Sequence, residues 1–460
     1  MTIDFPTASA GALAAALRDR EVSAVELFET AVARIEAMDG EINAVVVRDF
    51  DRAREAAKSA DAALARGERR PLLGVPMTVK ESFHIPGLPT TWGLAAFKGW
   101  TPPFEATGVT RLKAAGAVIL GKTNVPPNLA DFQSDNPVYG RTNNSLDLSR
   151  TPGGSSGGAA AALAAGYTPL EFGSDIGGSI RIPAHFCGVF GHKPSFGLIP
   201  MTGHAPPGIE APGAGVDLAV VGPLARSAAD LDLALGVLAG PDGEEAKGYR
   251  VDLPAPRATR VADFRILVLD RHPLAEVDDE VRAVLHATAE RLERAGAKIV
   301  RSRKRLPDLA AAHGVNMQML NAIITRGLEG AQPPIDAHVW MTALDARAGV
   351  RRAWAHLFEE VDVVLAPPLG VAAFPHNASP NFPARTLTIN GQVTPYFAQL
   401  AWSSVATLPG LPATVAPAGL TRAGLPVGVQ IIGPYLEDRT TIALARLIEG
   451  PSGPLQETGL

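Results

Sequence analysis

The chain is nearly without cysteine: Cys187 stands alone among 460 residues. That excludes a disulfide framework and any CxxC metal site. The ten histidines show no HExxH or related spacing. No run is apolar enough for a bilayer span, since the Ala-rich stretch from Gly157 to Gly166 covers only about ten residues where about 20 are needed. The start, MTIDFPTASAGALAAALRDRE, lacks a basic segment and an apolar core, so no signal peptide and a cytoplasmic location are expected. Charge of one sign is also lacking. With 42 Lys+Arg against 47 Asp+Glu the net charge is −5, and no basic stripe marks a nucleic-acid surface.

What is present is enough for a large core. Hydrophobic residues make up 46% and charged residues 19%, and 46 Gly with 39 Pro stay below the range of low-complexity disorder. Length allows roughly three domains, but strand and helix patterns alternate from end to end with no long linker. The expected fold is therefore α/β: a single large domain with a central mixed β-sheet covered by α-helices. Residues 1–70 read as a helical region. The capping box Ser23-Ala-Val-Glu26 opens a helix along Val25, Phe28, Val32 and Ile35, which Gly40 should end. Strands are expected over Asn43–Val47, Gly74–Lys80, Ala117–Leu120 and Thr168–Phe172, and later over Arg265–Leu269, Ala297–Val300, Val361–Ala366 and Val427–Ile432. Within Gly74–Lys80, Val75, Met77 and Val79 face one way and Thr78 and Lys80 the other. The segment 71–230 holds the motifs, and 231–460 supplies the rest of the sheet. Asn124–Gly154, rich in Pro, Asn, Asp and Ser, reads as a long functional loop.

One motif misleads. Gly116-Ala-Val-Ile-Leu-Gly121-Lys122-Thr123 fits the phosphate-loop pattern, which would make the chain a nucleotide-binding protein. That chemistry needs a flexible loop followed by a helix N-terminus. Here the intervening residues form a hydrophobic strand, and Asn124-Val-Pro-Pro127 cannot continue as a helix.

Two glycine-rich turns carry more. Gly153-Gly-Ser155-Ser156-Gly-Gly158 runs straight into an Ala-rich helix, which a flexible linker would not do. Gly177-Gly178-Ser179-Ile-Arg181 follows a strand and puts a serine on a tight turn beside backbone N–H groups, the arrangement of a nucleophile next to its oxyanion hole; a helix N-cap serine is the plainer alternative. A serine nucleophile needs a base. His185 and His192 flank an apolar run and read as satisfied core residues, and Cys187 reads as a small buried hydrophobe. Lys80, ending an apolar strand, is the better candidate because desolvation favours a neutral amine.

Taken together, Lys80, the Ser155 turn, and Gly-Ser-Asp175-Ile176-Gly-Gly-Ser179-Ile-Arg181, its serine 24 positions after Ser155, resemble the amidase signature family. Arg150-Thr-Pro-Gly-Gly, the continuation from Arg181 to Pro194, Gly222-Pro-Leu-Ala-Arg226-Ser, Leu408-Pro-Gly-Leu-Pro412 and Gly424-Leu-Pro-Val-Gly428 extend the similarity over nearly the whole chain. The resemblance implies a Ser–Ser–Lys triad: Ser179 as nucleophile, Ser155 as bridge after a cis Gly154–Ser155 peptide, and Lys80 as base. It also implies an oxyanion hole from the amides of Ile176, Gly177, Gly178 and Ser179, with Ser156, Asp175 and Arg181 in support. A nearby Arg181 would further lower the Lys80 pKa. Hydrolysis of a small-molecule amide through an acyl-enzyme follows, with esters and carbamates open to the same attack and no metal or cofactor required. No nucleic-acid or membrane partner is implied, and a homodimer is left open.

The sequence also departs from the family pattern. Glu81-Ser82 follow the lysine where many relatives carry Asp-Asn, and Pro127 stands where an acidic residue is common. Met201–Gly215 and Asn316–Leu328 are expected to line the substrate pocket, and their composition favours an apolar or aryl group. The rival within the family is the glutaminyl-tRNA amidotransferase A subunit, which is a glutaminase that works with a second chain.

Overall fold

The computed structural model describes residues 4–213, 215–326, 335–379 and 381–450. Eleven strands form one mixed sheet. In chain order they are β1 (Val45–Arg48), β2 (Pro76–Lys80), β3 (Val118–Thr123), β4 (Leu170–Asp175), β5 (Phe190–Lys193) and β6 (Val220–Ala225), followed by β7 (Arg265–Val268), β8 (Lys298–Val300), β9 (Val363–Ala366), β10 (Ala413–Leu420) and β11 (Pro426–Ile432). Across the sheet they run β1-β3-β2-β4-β6-β5-β10-β11-β9-β7-β8. The trio β3, β2 and β4 is parallel, as is the trio β9, β7 and β8. Antiparallel neighbours join the two. The sheet is thus the expected α/β architecture in one domain. Among the described residues no helix is long and apolar enough to cross a membrane.

Period-2 patterning sorts the faces of β2 as expected. Met77 and Val79 enter the main apolar core with Leu27, Phe28 and Ile35 of the helix Ala24–Ile42. Thr78 approaches Thr168 on the other side, and Lys80 reaches the Gly-rich turns. The capping box at Ser23 and Glu26 is formed. Gly40 does not end its helix, which continues to Ile42 and stops at Asn43 in the left-handed region (φ 56°). Asn43 tolerates that conformation and donates its side-chain amide to the carbonyls of Tyr139 and Arg141. An interior glycine costs only about 1 kcal/mol, less than this cap and the buried face supply.

Two strands outrun their expected ends. β4 continues three residues past Phe172 because Gly173, Ser174 and Asp175 pair with Gly222, Val221 and Val220 of β6. β3 continues through Gly121, Lys122 and Thr123, which pair with β1 and β2. The phosphate-loop match is therefore strand to its last residue, with no α-helix starting there and only the short 3-10 turn Pro127–Leu129 beyond it.

Candidate active site

The parallel strands β2 and β4 end side by side, and in open α/β sheets the crevice beyond carboxyl strand ends is where chemistry gathers. Lys80 closes β2 and is wholly buried. Its Nζ lies 2.7 Å from Ser155 Oγ and 2.9 Å from Ser174 Oγ. Burial pushes its pKa down to about 7, against Asp175 and Glu171, which favour the ammonium. Arg181 does not add to this lowering as expected; the charge that acts on Lys80 from that turn is the Asp175 carboxylate, which favours the ammonium. Glu171, two residues into β4 and buried, is pushed by desolvation up to about 8, with the hydroxyls of Thr78 and Thr123 opposing.

Ser155 follows a cis peptide from Gly154. A side chain at Gly154 would run into the carbonyls of Asp131 and Gln133, so the long loop grips this turn from outside. Ser134 extends the grip, donating to the Gly153 carbonyl and accepting from the Gly157 N–H, both at 3.1 Å. The Ser156 N–H donates to the Ser179 carbonyl at 3.1 Å, and its Oγ donates to the Ser174 carbonyl at 3.3 Å. These bonds bring the two serine turns together. No hydrogen bond joins the Ser179 and Ser155 hydroxyls among the described residues.

The turn after β4 is organised by one carboxylate. Asp175 accepts from the N–H of Gly178 at 2.9 Å and of Ile180 at 3.0 Å, and from Arg181 Nε and Nη2 at 3.0 and 2.8 Å. Burial alone would raise its pKa, but the Arg181 guanidinium overrides this and holds it at about 2. Arg181 also donates to the Ser403 carbonyl, Gln430 Oε1 and Thr407 Oγ1. Gly178 has φ 98°, and any side chain there would strike Ser403 Oγ, so glycine is required. The expectation of four free amides narrows here: the Gly178 N–H belongs to Asp175, while those of Ile176, Gly177 and Ser179 make no hydrogen bond among the described residues.

The remaining candidates settle into supporting positions. His185 donates from Nε2 to Val371 O and accepts the Gly428 N–H at Nδ1, and His192 bonds Thr414 and Asp438. Cys187 is buried against Pro152 O. Glu81 departs from the family pattern but has a use: its carboxylate accepts from Thr91, Trp92 and Tyr139 and fixes the 91–92 turn. Lys122 Nζ donates to Pro89 O and Thr90 Oγ1. From the 201–215 loop, His204 pairs with Phe83 just beyond Lys80. From the helix Leu309–Ile324, Ala312, Met319 and Leu320 form an apolar cluster against which Ile176 packs; Ala214, Gly327 and Leu328 lie outside the described residues. Ser174 escaped the sequence reading although it sits inside the Ser179 motif, because a strand serine carries no signal until its strand neighbour is known.

The Amidase family profile matches residues 26–323 and 313–442. The chain belongs to the amidase signature family. It is 35% identical to the A subunit of the glutamyl-tRNA(Gln) amidotransferase of Anaeromyxobacter sp. (strain K), covering 95% of this chain and 94% of that one. It is 36% identical to AmiB2 of Mycobacterium bovis, named as a putative amidase, over 97% and 96% of the two chains. Among solved structures, a bacterial aryl acylamidase of this family superposes with TM-score 0.80 at 26% identity, covering 97% of this chain and 96% of that one. An inhibitor-bound complex described for the origins of an s-triazine catabolic enzyme gives TM-score 0.83 at 29% identity, covering 97% and 99%. This enzyme is accordingly an amide hydrolase by family and fold.

Proposed function

We propose that the enzyme cleaves a small-molecule amide through an acyl-enzyme on Ser179, with Ser155 and Lys80 relaying the proton. The observation that carries this reading is the 2.7 Å contact between Lys80 Nζ and Ser155 Oγ, made by a lysine whose burial lowers its pKa to about 7. Neutral Lys80 takes the Ser155 proton as Ser155 takes that of Ser179, and Ser179 Oγ bonds to the carbonyl carbon. The amides of Ile176, Gly177 and Ser179 receive the oxyanion, each such donor being worth about 2.7–4 kcal/mol. The proton returns through Ser155 to the leaving nitrogen as the C–N bond breaks. Water then attacks the ester by the same relay, releasing acid and restoring Ser179. The apolar cluster beside Ile176 favours an apolar or aryl substrate group, and esters or carbamates offer the same carbonyl.

The likeness to the amidotransferase chain supports a second reading, a glutaminase dependent on a protein partner. A screen of aryl amides, alkyl amides, carbamates and glutamine separates the two. Turnover of aryl amides by the isolated chain is the expected result. Glutamine hydrolysis alone, and only with an amidotransferase partner added, would favour the second reading.

A further inference from the structure

The long loop between Asn124 and Gly154 presses on the Ser155 turn through one short stretch, residues 131–134. The carbonyls of Asp131 and Gln133 are the groups that a side chain at Gly154 would strike. Ser134 bonds Gly153 on one side of Ser155 and Gly157 on the other. A glycine-rich turn is permissive and does not hold such a geometry by itself. The support must come from the loop side, and both crowding residues are tied there by their own side chains, to chain 244 to 265 positions downstream. Gln133 Oε1 accepts the Asn377 N–H at 2.8 Å, and its Nε2 donates to the Asn377 carbonyl at 3.1 Å. Asp131 Oδ2 accepts from Arg385 Nη1 at 2.6 Å, and its Oδ1 accepts from Tyr396 OH and the Phe132 N–H, both at 2.7 Å.

The anchor is itself fixed. Arg385 Nε and Nη2 donate to the Ser379 carbonyl at 2.9 and 2.7 Å, and its guanidinium carbon lies 3.9 Å from the centroid of the Phe382 ring. Arg385 and Tyr396 flank a hairpin of the strands Thr386–Ile389 and Gln392–Pro395. Its buried Leu387 and Ile389 share one apolar cluster with Phe132 and Tyr396. The side chains of Asp131 and Arg385 are only 7% and 6% exposed. A buried ion pair is weak evidence for stability, because apolar residues of similar volume often do as well in its place. Here direction matters more: the bonds to Arg385, Tyr396 and Asn377 set the depth and heading of residues 131–133, which an apolar contact would leave free to slide.

We propose that Asp131, clamped by Arg385 and Tyr396, is a positioning residue for the reaction: it holds residues 131–134 against the turn from Gly153 to Gly157 and so fixes the Ser155 hydroxyl at Lys80 Nζ. The inference rests on the Ser155 relay proposed above and adds a group that acts through it. Among the described residues the Asp131 carboxylate bonds none of Lys80, Ser155 and Ser179. Its effect is therefore on placement alone. Moving Ser155 Oγ by about 1 Å from its contact with Lys80 is enough for a loss of about 10²-fold.

The test places Asp131→Asn and Tyr396→Phe in the wild-type and Ser155→Ala backgrounds. It reads steady-state kinetics on a 4-nitroanilide and the rate of fluorophosphonate labelling at Ser179. Asp131→Asn should lower kcat and the labelling rate about 10²-fold with KM within about twofold. Tyr396→Phe keeps the ion pair and loses one hydrogen bond of the clamp, so both rates should fall about three- to tenfold. In the Ser155→Ala background neither change should subtract more than about twofold, because placement cannot matter once the hydroxyl is gone. If Asp131→Asn does not fold, Tyr396→Phe decides on the same criteria. Unchanged kcat, a raised KM with kcat kept, or equal losses with and without the Ser155 hydroxyl would each overturn the proposal. A Ser155→Ala enzyme as active as the wild type would instead sink the relay on which it rests.

Discussion

Two lysines lie in the last two residues of neighbouring parallel strands, and they differ in what they touch. Lys80 on β2 and Lys122 on β3 are both wholly buried, and burial lowers both, to about 7 and about 8. Lys80 meets two serine hydroxyls, one of them on the Gly-rich turn. Lys122 meets a proline carbonyl and a threonine hydroxyl, with the Glu81 charge favouring its ammonium. A depressed pKa therefore does not by itself identify a base; the proposed relay also needs a hydroxyl on the Gly-rich turn, and only Lys80 of the two touches one. In sequence Lys122 carries the recognisable motif and Lys80 only a strand end, yet the apolar strand before Lys122 and the prolines after it already set the motif aside.

The sharpest way to break the comparison is to truncate both. Lys80→Ala should lower kcat/KM by about 10³-fold or more, the scale on which relay members fail together. Lys122→Ala should stay within a few-fold of wild type. Equal losses with intact folds would erase the distinction. Ser155→Ala should resemble Lys80→Ala, and the double variant should lose little beyond either single one, because a broken relay cannot be broken twice. Steady-state kinetics on the four proteins decides this, and multiplicative losses would mean that the residues act independently.

Next in size is the turn itself. Asp175→Asn leaves Arg181 buried without its counter-charge and should destabilise the fold by about 3–5 kcal/mol in denaturant titration. The wild-type carboxylate is held near pKa 2, below the unfolded range. Its contribution is therefore complete above about pH 4 and lost as pH falls toward 2, so the deficit of the variant should shrink on acidification. A deficit independent of pH would contradict the role given to the ion pair.

The smallest effect concerns Lys122 and stability. Its folded pKa of about 8 lies below the unfolded value near 10.4, so the cost of burying its charge is fully present below pH 8. That cost fades as pH rises through the interval between the two values. The wild type should gain on the order of 1–3 kcal/mol across that interval, a gain Lys122→Met cannot make. Thermal melts at pH 7 and 10 should show the deficit of the methionine variant widening with pH; a narrowing deficit would put the sign wrong.

Local features of the site were legible in the sequence because they are written in local chemistry. Alternation put Lys80 opposite Met77 and Val79, and glycines marked turns where Cβ atoms have no room, as at Gly154 and Gly178. Distant partners left no trace. Arg181 is held by Ser403, Thr407 and Gln430, more than 200 positions downstream, and only strand order brings them near. Ser174 became visible as a Lys80 partner once β2 and β4 were adjacent. The assignment of the Gly178 amide to Asp175 is likewise a matter of side-chain direction that spacing does not encode. Helix ends misled where a cap outweighed propensity, as at Gly40 and Asn43.

The central claim is that Ser179 is a nucleophile activated through Ser155 by neutral Lys80. The measurement that meets it most directly is the pH dependence of fluorophosphonate labelling, read by intact mass and peptide mapping. One adduct on Ser179 is predicted. Its rate should rise with pH to a midpoint near 7 and then level off, unchanged in His185→Gln and His192→Gln and collapsed in Lys80→Ala. An adduct on another residue, or Ser179 labelling that keeps its rate and pH profile without Lys80, would contradict the account.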